Sequence, residues 1–505
     1  MPVQAFADVA RRAVLAGLSG MAGSAWLAPR ALAAGGARAS GVASQPEVRG
    51  TWLTTTANRA LASPAETVRT MRRLREIGLN TVYVEAWKNG YAQFPSEVLQ
   101  RHLGVRQRPA DVRQDPSDAP GEASADGPPR DLLDEALNAA HREGLLCVAW
   151  FEYGFMAAHQ GTMNHLRRLK PDWLSRDAQG SEVAPNGFVW LNPLHPQARR
   201  FLTDLLLEAI ERYDLDGIQL DDRIVWPYVT MGYDAFTRAA YAAEHAGREP
   251  PANPRDPSWM RWRAHKLNTL ARELVAELRA ARPGLLLSLS PAVFPWSYEH
   301  YLLDWPQWAK WTSPARWDEL IPQAYRHSYA AFEHTWLAQV AALKAAGAYR
   351  PKELVAGLRL VGEGADSTWA QLRDSMALVR AQGQGGHVHW FSRGVLDVFA
   401  DELTAWYGGG VPSPRFPANW RAPPQPLQRA ARPGSWAPPP GLATGRYRVV
   451  ALAAQAWRGA GSIQVEGQAA APAIELPAAV QAAELLRDRR PDMTDPMRCR
   501  DEALC

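Results

Sequence analysis

Two adjacent acids, Asp221 and Asp222, close the apolar run DGIQLDD at 216–222, and a third, Glu152, stands in LLCVAWFEYGF at 145–155. Cleaving a bond between sugars takes one carboxylic acid to protonate the leaving oxygen and usually a second carboxylate to attack or to activate water. Asp221 with Glu152 or Asp222 supplies such a pair. If DGIQLDD is a strand, Ile218 and Leu220 alternate with Gln219 and Asp221, which turns Asp221 inward and Asp222 towards a loop or neighbour. The same alternation gives Trp150 and Glu152 one direction, and does so for Glu85 with Trp87, Gln323 with Tyr325, and His387 with His389. Carboxylates, aromatic faces, an amide and imidazoles around one opening would stack on and hydrogen-bond to a sugar. The plainer reading has one acid of the Asp pair bridging Arg223 while the other caps a loop, and Glu85 simply pairing with Lys88.

Such groups need rigid elements to aim them. Eight β-type runs recur along the chain: VRGTWLTT (48–55), TVYVEAW (81–87), LLCVAWFEYGF (145–155), DGIQLDD (216–222), LLLSLSP (285–291), ELIPQAY (319–325), LVAGLRL (354–360) and GHVHWFS (386–392). Stretches of helical period separate them. Ser63-Pro64-Ala65-Glu66 offers a capping residue, Pro at the first helical position and Glu placed to return a hydrogen bond, with Gly78 at the far end. Asp131–Gly144 and Gln197–Tyr213 repeat the helical pattern. Nearly continuous apolar strands alternating eight times with helices predict an α/β fold, a parallel (β/α)₈ TIM barrel whose catalytic groups gather at the carboxyl ends of its strands. The alternative, an open doubly wound sheet, would more often carry a glycine-rich loop after its first strand, and none follows VRGTWLTT.

The 505 residues carry 56 basic and 52 acidic side chains, a net charge of +4 that excludes the strongly basic surface of a nucleic-acid partner. Cys147, Cys499 and Cys505 have no metal-ligand spacing, so neither metal nor cofactor is expected; a Cys499–Cys505 disulfide remains open. Arg11-Arg12 ahead of the apolar run Ala13–Leu27, and Ala31-Leu32-Ala33 after it, read as a signal peptide over 1–33, leaning to the twin-arginine kind. The expected organisation is then a linker at 34–46, the barrel at 47–408, a Pro-rich linker at 409–440, a small β appendage at 441–484 and a charged, poorly ordered tail at 485–505. Residues 101–130, rich in Pro, Asp, Arg and Gly, would form a rim loop after the second strand. No later run is long enough to span a membrane, which places the mature protein in the periplasm or outside the cell.

The chain resembles the glycosyl-hydrolase-like 10 family of bacterial barrels. EVRGTWLTT (47–55), WFEYGF (150–155), YDLDGIQLDDR (213–223), SPAVFPWS (290–297) and PQAYR (322–326) carry the resemblance from about Glu47 to Leu403, in the same order; VEAWKNGY departs from it at Glu85. The resemblance implies glycan hydrolysis, with Asp221 and Asp222 in the strand-four acid motif and Glu152 in the strand-three motif. Some members act on peptidoglycan strands stripped of peptides and relatives act on exported amino-sugar polymers, which makes an N-acetylhexosamine polymer the expected substrate. Trp150, Trp87, Gln323, Tyr325, Arg223, His389 and Trp296 are the substrate-binding candidates. Two other readings stand beside this one: action on a different polysaccharide, by hydrolysis or transglycosylation, and a glycan-binding barrel without catalysis.

Overall fold

The computed structural model describes residues 46–108, 130–466 and 472–490. The expected signal peptide, most of the first linker, the middle of the 101–130 loop and both Cys499 and Cys505 lie outside these residues.

All eight predicted runs are strands of one sheet: β1 (Val48–Leu53), β2 (Thr81–Glu85), β3 (Leu146–Phe151), β4 (Gly217–Asp221), β5 (Leu286–Ser290), β6 (Glu319–Leu320), β7 (Ala356–Arg359) and β8 (Gly386–Trp390). Neighbours pair in parallel in the order β6-β5-β4-β3-β2-β1-β8-β7. Parallel bridges from Leu320 to Leu354 and from Gln323 to Gly357 join β6 to β7, closing the ring.

Each crossover is helical because its sequence starts and stops a helix. In α1 (Pro64–Ile77) the Ser63 side chain accepts from the Glu66 amide, and Gly78 ends the helix with φ 107°, a left-handed conformation that suits glycine. Glu66 bonds Arg69 rather than returning to the cap. Asp131 caps α2 (Leu132–Arg142), and Pro196 opens α3 (Pro196–Arg212). Then come α4 (Pro257–Ala281), α5 (Tyr329–Ala345), α6 (Trp369–Ala381) and α7 (Ala400–Tyr407). Two short turns, Trp296–Tyr301 and Trp305–Trp308, bridge β5 and β6.

Below the site the barrel interior is a hydrogen-bonded ladder. The Trp52 indole donates to Gln219 (2.7 Å), Gln219 to Ser288 (3.0 Å), and Ser288 and Tyr83 to Glu319 (3.0 and 2.6 Å). Arg415 compensates the buried Glu319 at 2.8 Å. Gly50 has to be glycine here, since an added Cβ would lie 2.9 Å from the Tyr83 ring and 3.0 Å from Val388.

The segment expected to be a Pro-rich linker is built into this base. Trp420 donates to Asp216 (2.7 Å), and Arg421 pairs with Asp214 (2.7 Å) and Asp216 (2.6 Å) at the entry to β4. The appendage holds the strands Gly445–Ala453 and Ala456–Val465. Its sheet also takes Ala482–Arg487, so the charged tail expected from 485 begins as a paired strand. Arg487 joins that ladder opposite Tyr447, and Arg490 bonds Asp488, which is why this stretch of charge is ordered. The appendage docks on α2 through Arg448 to Asn138 and His141, and Arg142 to Glu484.

Candidate active site

The carboxyl end of β4 delivers Asp221 into the barrel mouth, 3% exposed, where its two oxygens accept four N–H groups. Oδ1 takes Gln323 Nε2 (2.6 Å) and the Asp222 amide (2.8 Å); Oδ2 takes the Trp150 indole (2.9 Å) and Arg223 Nη1 (3.1 Å). Four donors aimed at one carboxylate favour its charged form and fix its rotamer.

Asp222 is also buried but differently served: Oδ1 has no hydrogen-bond partner and its nearest cation, Arg223 Nη1, is 3.7 Å away. Glu152, from the turn after β3, likewise has Oε2 without a hydrogen bond, and lies 3.6 Å from Arg223 and 3.8 Å from Lys88. One guanidinium nitrogen therefore stands between three acids at 3.1, 3.6 and 3.7 Å, so no two of those contacting oxygens are farther apart than about 7 Å. That bound admits the spacing of a retaining pair, about 5–5.5 Å, and only the short end of the inverting range.

Burial and mutual repulsion push the Asp221–Asp222 pair above the usual carboxylate range, with Arg223 opposing. Adjacent buried carboxylates titrate as a unit, holding one proton between them. Burial works against the Arg223 charge, yet Asp222, Glu152 and Asp221 together hold its pKa above the ordinary value.

Glu85, at the end of β2, lies beside this cluster. Its carboxylate accepts from Thr55 (amide, 3.2 Å, and hydroxyl) and sits 3.4 Å from Lys88. Burial and Glu152 push it up to about 7 against the pull of Lys88. Lys88, whose only sequence signal was its place three residues after Glu85, bridges the two glutamates and donates to Thr56 Oγ1 at 2.8 Å. The other residues missed in the sequence, Trp52 and Trp390, are aromatic. Tyr325 and Trp390 stack at 5.7 Å and remain partly exposed at the mouth, over Trp52. Burial and Asp221 raise the Tyr325 phenol.

Of the ten predicted site residues, Asp221, Asp222, Glu152, Arg223, Gln323, Trp150 and Tyr325 converge. Trp150 is 1% exposed and its indole is occupied by Asp221, so it positions an acid and is not an open stacking face. Trp296 stands on the loop after β5, partly exposed, stacked on His300 at 4.6 Å and edge-on to Tyr301 at 5.3 Å. Tyr301, held by Asn186 at 2.9 Å, links that rim to the site, its phenol raised by burial and by Asp222.

Two expectations are corrected. The chain leaves the sheet after Glu85, and Trp87, in a two-residue ladder with Tyr91–Ala92, turns outward against Phe201 of α3 with its indole on the Gly154 carbonyl. His389, with His387, faces the other side of β8: both Nε2 atoms meet the Tyr407 hydroxyl of α7 at 2.8 Å. Burial holds both imidazoles well below their usual pKa, and it is Val388 and Trp390 that point inward.

The model of the Glycosyl hydrolase-like 10 family matches residues 47–360, the barrel with all but its last strand and every acid above. The chain belongs to this family. Its scaffold is the TIM barrel. Among curated relatives it is 28% identical to glycosyl hydrolase YngK of Bacillus subtilis over 166 residues, 32% of this chain and 30% of that protein. It is 23% identical to glycosyl hydrolase DigH of Escherichia coli over 280 residues, 49% of this chain and 56% of that protein. The matches thus span little more than half the length of these relatives, or less. Among solved structures, the glycoside hydrolase domain of PgaB (BpsB) from Bordetella bronchiseptica superposes with a TM-score of 0.53 at 16% identity, covering 71% of this chain and 98% of that one. The catalytic domain of a Paenibacillus polymyxa β-amylase gives 0.50 at 11%, covering 73% and 98%. At these identities the likeness is one of fold.

Proposed function

We propose that the protein is an exported hydrolase of an amino-sugar-containing cell-envelope glycan, with peptide-free peptidoglycan strands as the favoured substrate. The observation that carries the mechanism is the unequal treatment of two neighbouring acids: four N–H donors on Asp221, an unpaired oxygen on Asp222. Asp222 keeps the proton and gives it to the leaving glycosidic oxygen. Asp221, anionic and fixed, faces the positive charge that develops at the sugar carbon or orients the acetamido group of an N-acetylated sugar, whose own oxygen then attacks. Glu152, reached by Arg223 and Lys88, orients the water that completes hydrolysis. Tyr325 and Trp390 offer the faces on which the ring stacks.

Export rests on the paired arginines and the Ala-rich segment ending at Ala33, and N-terminal sequencing of the envelope fraction should begin near Ala34. For substrate and reaction, purified protein is incubated with peptide-free peptidoglycan strands, products are weighed by mass spectrometry, and the anomeric configuration of fresh product is followed by NMR. Shortened strands with a new reducing end support the proposal. Cleavage of a different amino-sugar polymer, with intact peptidoglycan strands, overturns the substrate; intact glycan throughout overturns the activity.

A further inference from the structure

Among the described residues most buried arginines face a carboxylate: Arg49 has Glu47 at 2.9 Å, Arg282 has Asp214 at 3.0 Å and Arg448 has Asp214 at 3.3 Å. Arg263, fully buried without one, is instead surrounded by the Val229, Met231 and Pro254 carbonyls and the Trp259 ring. Arg326 and Arg359 also rest on backbone carbonyls, but unlike Arg263 they open on a pocket. They leave the neighbouring ends of β6 and β7 and line one pocket between those strands and α5 and α6. Among the described residues neither makes a salt bridge, although Arg359 is only 7% exposed.

Arg326 donates through Nε to Thr335 (2.9 Å) and through Nη1 to the Tyr325 carbonyl (2.7 Å), which leaves Nη2 available. Arg359 holds the Glu363 and Ala365 carbonyls and, weakly, Ser367. Glu363 and Asp366 on that loop act on Arg359 from beyond ion-pair distance, and burial alone lowers the Arg326 pKa. Ser328, Ser367 and Gln371 add polar lining, while Phe332 and Leu358 supply apolar wall. The Ser328 hydroxyl accepts from Ala331, so its proton is free to turn to a ligand. Arg326 Nη2 and the N–H groups that Arg359 has left over are the cationic donors without an acid at ion-pair distance over this pocket, and an oxyanion is the acceptor they suit.

We infer that the pocket between the β6 and β7 loops is a binding site for a small oxyanion, a carboxylate or phosphoryl group, gripped by Arg326 and Arg359. The group comes either from a glycan substituent or from a free ion. Arg326 directly follows Tyr325 on the segment leading out of the barrel, and the Tyr325 ring belongs to the mouth, so a substituent of bound glycan is within the chemistry of the arrangement.

The probe is inorganic phosphate, titrated calorimetrically and by thermal shift into the full chain, with chloride at equal ionic strength as control. Saturable binding and a rise in Tm beyond chloride are expected, and Arg326→Gln should weaken binding about 10–100-fold, the worth of a charge-assisted contact. Arg326→Lys, which keeps the charge, should lie between; it decides the matter if circular dichroism shows that Arg326→Gln does not fold. A second arm compares kcat/KM on a carboxyl-bearing glycan and on the same glycan with its carboxyls reduced. A loss in Arg326→Gln confined to the carboxyl-bearing form assigns the site to a substrate substituent, and equal kcat/KM losses or none, with phosphate binding gone, assign it to a free ion. Phosphate behaving as chloride does, or binding unchanged in the folded variant, overturns the inference. Because the phosphate arm does not depend on turnover, it stands or falls apart from the proposed reaction.

Discussion

Replacing Asp222 by Asn separates the roles proposed for the two acids. In the folded protein Asp222 Oδ1 accepts no hydrogen bond, and the nearest cation is 3.7 Å away, beyond direct bonding. The substitution removes a buried acid next to Asp221 and leaves the four donors on Asp221 in place, so Tm should stay level or rise. Loss of a positioned acid lowers turnover about 10²–10⁴-fold, or about 2.7–5.4 kcal/mol of barrier. Asp221→Asn is the contrast. Its amide nitrogen would face two of the N–H groups that the carboxylate now accepts, removing two charge-assisted bonds worth about 1.5–3 kcal/mol each before relaxation and the relief of repulsion. That variant should lose both activity and several degrees of Tm. The assay is release of soluble fragments from glycan strands, with differential scanning calorimetry on the same preparations. Turnover by Asp222→Asn within threefold of wild type would refute the assignment of the acid, and an Asp221→Asn protein more stable than wild type would refute the reasoning from its donors.

Trp150→Phe keeps the packing and removes one donor from Asp221, so kcat should fall about tenfold, the worth of one hydrogen bond to a charge, with little change in Tm; unchanged kcat would show that the indole does not matter to the acid. Glu85 is raised from 4.5 to about 7 in the folded protein, so it adds stability below pH 4.5 that is lost as pH rises through 7. Glu85→Gln should therefore flatten the fall of denaturant stability across that window, and parallel curves for the two proteins would contradict the shift. Arg421→Ala strips a cation from buried Asp214 and Asp216 and should cost about 3 kcal/mol in urea unfolding, whereas a loss under 1 kcal/mol would mean the base is not held this way.

The barrel was legible because strands covered on both faces must read as short apolar runs, and the eight runs are the eight strands. Asp221 was legible for a local reason: the chain keeps strict alternation to the end of β4, so counting from Leu220 gives its direction. Counting failed at Trp87, where the chain abandons the sheet two residues earlier and parity no longer applies. It failed at His389 for a different reason. Alternation says that His387 and His389 point the same way, not which way, and both faces of β8 are buried. Lys88, Trp52 and Trp390 join the site only through closure of the ring, which brings β1, β2 and β8 side by side; no local pattern holds that information. The strand at Ala482–Arg487 was hidden similarly, since its partner Gly445–Ala453 lies across an intervening hairpin and its charges read as solvent-facing.

The two ends of β4 show how one short segment can carry both stability and chemistry with the same residue type. At its entry, burial would raise Asp214 and Asp216, but Arg421 acts on both, with Arg448 and Arg282 beside Asp214 and His141 beside Asp216, and both acids are held well below the usual carboxylate range. At its exit, Asp221 and Asp222 have Arg223 between them and Glu152 close by, and the pair is pushed upward. The difference is the local ratio of cations to acids, since all four acids are buried. An acid meant to hold the base of the barrel to its appendage must stay ionised, and extra arginines ensure that. One meant to give up a proton near neutral pH has to be short of cations. Supplying the missing charge should then convert one end into the other: a lysine reaching Asp222 from the Tyr301 position would lower the pair, shift the alkaline limb of the pH–rate profile to lower pH and reduce turnover at neutral pH. A Tyr301→Lys protein that folds and binds glycan with an unshifted limb would show that the proton on Asp222 is not the one transferred.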